Sequence, residues 1–440
     1  MTVPIFLFSL CGAMAIGMPV AFSLIVCGLA LMLYMGIFDS QIVSLKLIEG
    51  ADNFQLLAVP FFLLAGELMN AGGLSKRIVN FAVSLVGHIH GGLGYVAIFA
   101  SIIMASLSGS AAADTAAIAS ILIPMMRSAG YNVPRAAGLI ASGGIIAPVI
   151  PPSIGFIVFG VAANVSITQL FLAGVFPGLL MGLSLVVAWK LVARHEKVQT
   201  YPRQSWLARL KSFRDGFFAL LMPAIILGCI KFGWATPTEA AVFAAVYAML
   251  VGLFIYRELK FSQIYGVFLT AAKTTAVVML LVAAALISAW LITQANIPAE
   301  IGVLLEPLKD NPTILMLMLM ILVVVVGTAL DMTPTILILT PILMPIVKEA
   351  GINPVYFGVL FIMNNAIGLI TPPVGVVLNV VCGVARVPMG AVIRGVMPFF
   401  IAQTIVLFLL VFLPQWVLAP LDWLRGRTGL LEMLQAMFWF

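Results

Sequence analysis

The sequence predicts an all-α, polytopic membrane protein built from two related halves. Three observations predict it: 63% of its residues are hydrophobic and 9% charged, long stretches carry no charge at all, and one half repeats in the other with its interruptions in register. A soluble domain carries roughly a quarter charged residues, so water is not this chain's main solvent.

Residues 1 to 38 contain no Asp, Glu, Lys or Arg, and residues 136 to 189 form a second such run of 54. A spanning helix needs about 20 apolar residues, so each run holds more than one membrane element. The first run lacks a basic n-region and continues past a signal peptide's h-region, and it reads as mature structure. Cys11, Cys27, Cys229 and Cys382 all lie in apolar segments without C-x-x-C spacing, as packing residues do. The net charge of +6 is concentrated: seven of 22 basic residues (Lys190, Arg194, Lys197, Arg203, Arg209, Lys211, Arg214) fall in 190–214. By the positive-inside rule this stretch is a cytoplasmic loop that sets topology, not a nucleic-acid site. Both termini are then expected in the periplasm.

ILIPMMRSAGYN (Ile121 to Asn132) matches ILMPIVKEAGIN (Ile342 to Asn353) at an offset of 221. The same offset carries Ser108–Asp114 onto Ala329–Thr335, Pro151-Pro152 onto Pro372-Pro373, and Pro177 onto Pro398. More loosely, IGMPVAF (Ile16 to Phe22) resembles WATPTEAAVF (Trp234 to Phe243). The chain therefore divides into 1–189, a basic linker 190–214, a second half 215–424 and a tail 425–440. If each half crosses the membrane an odd number of times, the second is inverted relative to the first.

Within each half two helical segments are interrupted. SLSGSAAAD (Ser106 to Asp114) and APVIPPS (Ala147 to Ser153) interrupt the first; 327–335 and 368–375 interrupt the second. Proline removes an amide donor and glycine weakens a helix, so these segments cannot cross as continuous rods. Irregular backbone at membrane depth survives only where protein buries it or a wet cavity receives it. Paired interruptions in two halves are the sequence pointer to a transport site.

Ser106, Ser108, Gly109 and Ser110 read as a hairpin tip leading into a helix whose free amides could hold an anionic group. Close helix packing by small residues is the competing reading of that tract. Asp114 and Asp331 are carboxylates in apolar surroundings, expensive enough to suggest function. Each could ligate a cation, order a hairpin tip, or cap a helix near an interface. In the second half, carbonyls of Gly368 and Thr371 with hydroxyls of Thr328 and Thr371 would suit a hard cation beside Gly327, Thr333 and Asn364-Asn365. His88 and His90 read as a membrane-edge turn, Trp206, Trp290 and Trp423 as interfacial anchors. Glu67 and Lys273 interrupt apolar stretches with no assigned role.

PFFLLAGELMNAGGLSKRI (Pro60 to Ile78), SLSGSAAADTAAI (Ser106 to Ile118), VIPPSI (Val149 to Ile154), LFLAGVFPGLL (Leu170 to Leu180), GWATPTEAA (Gly233 to Ala241), SAWLIT (Ser288 to Thr293) and GLITPPVG (Gly368 to Gly375) are the motifs that carry a resemblance. Over about 2–424 the chain resembles the large membrane subunit of tripartite ATP-independent periplasmic (TRAP) transporters. The tail after Leu424 matches none of its pattern. The resemblance implies an inverted-repeat, elevator-type carrier with two re-entrant hairpins and two broken helices. It implies sodium-driven uptake, through a bacterial inner membrane, of an organic anion such as a sialic acid or a C4-dicarboxylate, with a slight lean to sialic acid. Two or more sodium ions are expected, and no organic cofactor. The implied partners are a periplasmic substrate-binding protein and a separate small four-helix membrane subunit. One sodium site would use Ser106, Ser108, Gly109, Ala147, Ile150 and Pro151; the other Gly327, Thr328, Gly368 and Thr371. Ser110, Asp114, Ser153, Asp331, Asn364 and Asn365 would contact substrate or order the site between the ions.

Two other function classes stay in view. An intramembrane hydrolase could use Ser110 with Asp114, although no G-x-S-x-G elbow frames the serine. A channel-like subunit of a larger complex would want a longer chain of intramembrane ionisable groups.

Overall fold

A computed structural model describes residues 2–194, 196, 198–308, 311–328, 330–372 and 374–438. Ala329 and Pro373, matched above to Ser108 and Pro152, and Lys197 of the linker lie outside the described residues, as do residues 439–440 of the tail.

Among the described residues the chain is helical throughout and contains no strand. Before the basic stretch come α1 (Thr2–Ala15), α2 (Val20–Met35), α3 (Ser40–Ala51), α4 (Ala58–Ala71), α5 (Leu74–Val86), α6 (Gly92–Ser108), α7 (Ala111–Ser128), α8 (Val133–Gly144), α9 (Ile154–Ala163) and α10 (Ile167–Ala193). After it come α11 (Trp206–Lys231), α12 (Pro237–Leu250), α13 (Phe261–Gln294), α14 (Ile297–Leu305), α15 (Pro312–Gly327), α16 (Met332–Glu349), α17 (Pro354–Gly368), α18 (Val376–Ala385), α19 (Met389–Phe412), α20 (Gln415–Leu424) and α21 (Leu430–Phe438). Seven helical segments among the described residues are long and apolar enough to cross a membrane. The shorter apolar helices fall at the interruptions: α6, α9, α15, α17 and α18.

Helix starts follow the sequence's capping chemistry. Asn132 and Asn353 cap α8 and α17, each taking a backbone amide of the first turn, with proline at the first or second helical position. Both are standard N-terminal signals, and they sit 221 residues apart (132 against 353). Thr236 opens α12 with a capping box, its hydroxyl meeting the Glu239 amide and its own amide meeting the Glu239 carboxylate.

The offset of 221 does not persist through the second interruption. Helix α16 starts 221 residues after α7 (332 against 111), but α18 starts 222 after α9 (376 against 154). The second break holds one more residue. Ser153 caps α9 through its side chain, whereas α18 starts from Gly375 in the left-handed region, φ +50°. One more asymmetry lies earlier. Residues 40–71 form α3 and α4, separated by a kink at Asp52 and Asn53, whereas α13 runs unbroken for 34 residues.

Packing crosses between the chain's two parts. Helix α7 lies on α18, and α16 lies on α9. The Arg127 guanidinium on α7 donates to the last carbonyl of α18, that of Ala385, at 2.7 Å. Buried phenylalanines tie α9 to α17: the Phe159 ring is 6.2 Å from Phe357 and 5.6 Å from Phe361. Such offset aromatic contacts add roughly 0.5–1.5 kcal/mol each beyond their burial. Where α10 ends, the basic stretch is tied to the turns flanking α6 and α7. Arg135 pairs with Glu196 at 2.7 Å, and the Gln199 and Tyr201 amides reach the Ala129 and Gly87 carbonyls.

Candidate functional site

The first tip is built by three residues. Helix α6 ends at Gly109, whose φ of +63° favours glycine, and α7 begins after Ser110. The Ser110 hydroxyl accepts from the Ala113 amide at 3.4 Å, and the Ser108 hydroxyl accepts from the Ser110 amide at 3.1 Å. Ser108 in turn donates to Asp114 Oδ1 at 2.5 Å. Asp114 is 1% exposed and its Oδ2 has no partner, so the carboxylate holds the tip from behind and does not line the cavity in front of it.

The interruption between α8 and α9 backs onto this tip. A Cβ on Gly109 would stand 2.5 Å from the Pro152 carbonyl oxygen, so Gly109 is what lets the two loops touch. Ser153 is fully buried. Its hydroxyl donates to the Pro148 carbonyl and accepts from the Phe156 amide, which uses it to hold the bend. Ser106 is buried with its hydroxyl on the Ile103 carbonyl, and Ala147, Ile150 and Pro151 lie buried in the same bend.

In the second part the backbone approach is closer still. A Cβ on Gly368 would stand 2.8 Å from the Gly327 carbonyl oxygen, so the end of α17 touches the end of α15 backbone to backbone. The Thr328 and Thr371 hydroxyls donate to carbonyls of their own helices, Val325 and Ile367, which leaves their lone pairs free. Asn365 gives its amide to the Phe361 carbonyl and Asn364 to the Met320 carbonyl, and both side-chain carbonyl oxygens are buried without a partner. Asp331 caps α16 by accepting from the Met332 amide at 2.8 Å.

A cavity of about 150 Å³ joins the tips. Gly109, Ser110, Ala111 and Ala112 line it from the first tip, Asp331, Met332 and Thr333 from the second, and Leu63, Thr274 and Val278 close it from α4 and α13. No lysine or arginine lines it. Its positive potential comes from the N-termini of α7 and α16, whose first-turn amides have no intrahelical acceptor. The Gly327, Thr328, Gly368, Thr371 and Asn365 oxygens lie behind the second tip.

Of the residues singled out from sequence, Gly109, Ser110 and Asp331 meet at this cavity, joined by Thr333, whereas Ser108 and Asp114 stand behind it. The hydrolase geometry is absent among the described residues: Asp114 bonds Ser108, and Ser110 has no carboxylate or imidazole partner. His90 Nε2 pairs with the Ala193 carbonyl at 2.9 Å, and no three His, Cys, Asp or Glu side chains cluster for a metal among the described residues.

Sequence reasoning missed Ser101, Thr115 and Ser142, buried hydroxyls without partners around the first tip. Ser101 and Thr115 sit against Gly143 and Gly144, where an added Cβ would strike them. The Gly143-Gly144 pair before the break was the available signal.

The family model described as "Tripartite ATP-independent periplasmic transporter, DctM component" matches residues 7–416. The chain is 54% identical over 425 residues to the 2,3-diketo-L-gulonate TRAP transporter large permease protein YiaN of Escherichia coli, covering 97% of this chain and 100% of that one. It is 39% identical over 412 residues to the sialic acid TRAP transporter large permease protein SiaM of Vibrio cholerae, covering 94% and 96%. The solved YdaH transporter of Alcanivorax borkumensis, described as having an unusual topology, shares the fold with a TM-score of 0.61 at 14% identity, over 85% of this chain and 89% of that one.

Proposed function

This chain belongs to the DctM family, the large permeases of TRAP transporters, and from that premise we propose that it carries a sugar-derived carboxylate into the cytoplasm together with sodium. The observation that carries the proposal is the meeting of two helix N-termini, those of α7 and α16, at one small cavity beside two oxygen-rich interruptions. A carboxylate rests on such N-termini without a basic side chain. The donor chemistry of the interruptions suits sodium, a hard cation, since it consists of carbonyls and hydroxyls and not of thiolates or imidazoles. One ion would take the backbone around Ser106–Gly109 and Ala147–Pro151, the other Gly327, Thr328, Gly368 and Thr371.

Sodium held behind each tip would fix the loop that presents the amides, so ion and anion would bind cooperatively. In this reading the halves 1–189 and 215–424 are inverted repeats and the basic linker is cytoplasmic. The α6–α7 and α15–α16 hairpins move with the broken helices α8–α9 and α17–α18 as one body past α4 and α13. The relatives named for 2,3-diketo-L-gulonate and sialic acid are the basis for a sugar acid. Substrate would arrive from a periplasmic binding protein, and a small four-helix membrane subunit would pack beside this chain. Thermal melting of the purified chain tests the ion assignment: sodium chloride is expected to raise the midpoint over equal potassium chloride, and equal midpoints would reject it.

A further inference from the structure

A second built site lies away from the tips, in a cleft of about 530 Å³ between α5, α11 and the segment that follows α12. Its floor is fixed. Arg77 donates to the Gly73 carbonyl at 3.0 Å and to Glu258 at 2.6 Å, and its guanidinium lies 3.8 Å from the centroid of the Tyr256 ring. The Tyr256 hydroxyl in turn accepts from the Ala219 amide at 3.3 Å. Arg77 and Glu258 therefore neutralise each other and need no ligand.

The rim is different. Lys76 and Arg214 line the cleft with no hydrogen bond or ion pair of their own, against one further acid, Asp215, and the neutral amide of Asn80. The uncompensated charge on the rim is one positive. From this rim an apolar track runs along one face of α11: Trp206, Leu207, Leu210, Phe213 and Phe217 are 75, 76, 53, 41 and 40% exposed. Helix α5 is amphipathic, with Ile78, Val79 and Ala82 buried beneath the exposed Lys76 and Asn80, as in helices that lie in the membrane interface.

We propose that this cleft binds the phosphate headgroup of one anionic phospholipid, with its acyl chains along the exposed face of α11. The phosphodiester oxygens accept from Lys76 and Arg214, and a glycerol headgroup has hydroxyls to offer Asn80 and Asp215. A free phosphate would use the two cations and leave the apolar track bare; a zwitterionic lipid would cover the track and bring no net charge. The bound lipid would link α5, which leads through the Gly87–Gly91 turn into α6, to α11. The proposal rests on the chain being a membrane permease and is independent of sodium coupling.

The full chain, purified in detergent, is melted with phosphatidylglycerol, phosphatidylcholine or inorganic phosphate, and bound lipid is counted by native mass spectrometry. Phosphatidylglycerol is expected to raise the midpoint by several degrees more than phosphatidylcholine and to leave one retained lipid per chain. In Lys76→Gln/Arg214→Gln that increment should vanish, and in Lys76→Arg/Arg214→Lys it should persist, which separates lost binding from misfolding. Equal shifts from the two lipids, an increment that survives the double glutamine variant, or one lost equally in the conservative variant would overturn the proposal. Inorganic phosphate reproducing the whole shift would overturn the lipid as source.

Discussion

Ser110 and Asp331 stand 221 residues apart (110 against 331), each caps the helix that follows a hairpin tip, and both line the same cavity. One cap is a hydroxyl and the other a carboxylate. The chain therefore keeps the capping function at both tips and places its negative charge at only one.

Replacing Asp331 by serine, the residue its counterpart carries, separates the two roles. A serine cap preserves most of the start of α16, since Ser and Asp rank together at this position. The Asp331→Ser variant should assemble and melt like the native protein yet take up substrate about tenfold more slowly. Native uptake would reduce Asp331 to a cap.

Asp114 acts from behind the first tip. Removing it strands the Ser108 hydroxyl, and a hydrogen bond to a charged group is worth about 1.5–3 kcal/mol. If that loss falls on the transport-competent tip, Asp114→Ala lowers uptake by roughly 10- to 100-fold while leaving membrane-assembled protein, measured by immunoblot and uptake on the same vesicles. Full activity would remove Asp114 from the mechanism.

Glycine substitutions test the close approaches. Gly109→Ala combines a φ of +63° with a clash at the Pro152 carbonyl, and Gly368→Ala drives a Cβ against the Gly327 carbonyl. Both should abolish uptake. Gly383→Ala and Gly390→Ala, where an added Cβ meets nothing within 4 Å, should behave like the native chain in the same assay.

Arg127 holds the end of α18 from α7 at 2.7 Å, a tie between elements 258 residues apart. Arg127→Gln should lower the melting midpoint by a few degrees and slow uptake several-fold, because a charged donor to a helix C-terminus is lost. An unchanged midpoint would show that the tie contributes nothing.

Much of this was legible in the sequence because breaks are local chemistry. Gly109, the Pro151-Pro152 pair and the Asn132 and Asn353 caps act within a few residues of themselves, and the structure has its interruptions where they stand. The crossing of α7 onto α18 and of α16 onto α9 left no such trace, since contacts over such separations impose no period on either helix. The extra residue in the second break was hidden for a related reason. A proline register aligns Ser153 with Val374, while the helix start follows backbone conformation and falls after Gly375. Asp114 stood out as a carboxylate in apolar surroundings, but its orientation away from the cavity depends on Ser108, and only the folded tip brings the two together.

Sodium coupling at the paired interruptions is tested most directly by uptake into proteoliposomes that contain this chain, its small membrane subunit and loaded binding protein. With an inward sodium gradient, accumulation of the sugar acid is predicted to rise at least tenfold over the same vesicles with potassium replacing sodium. Equal accumulation in the two cations would contradict the account.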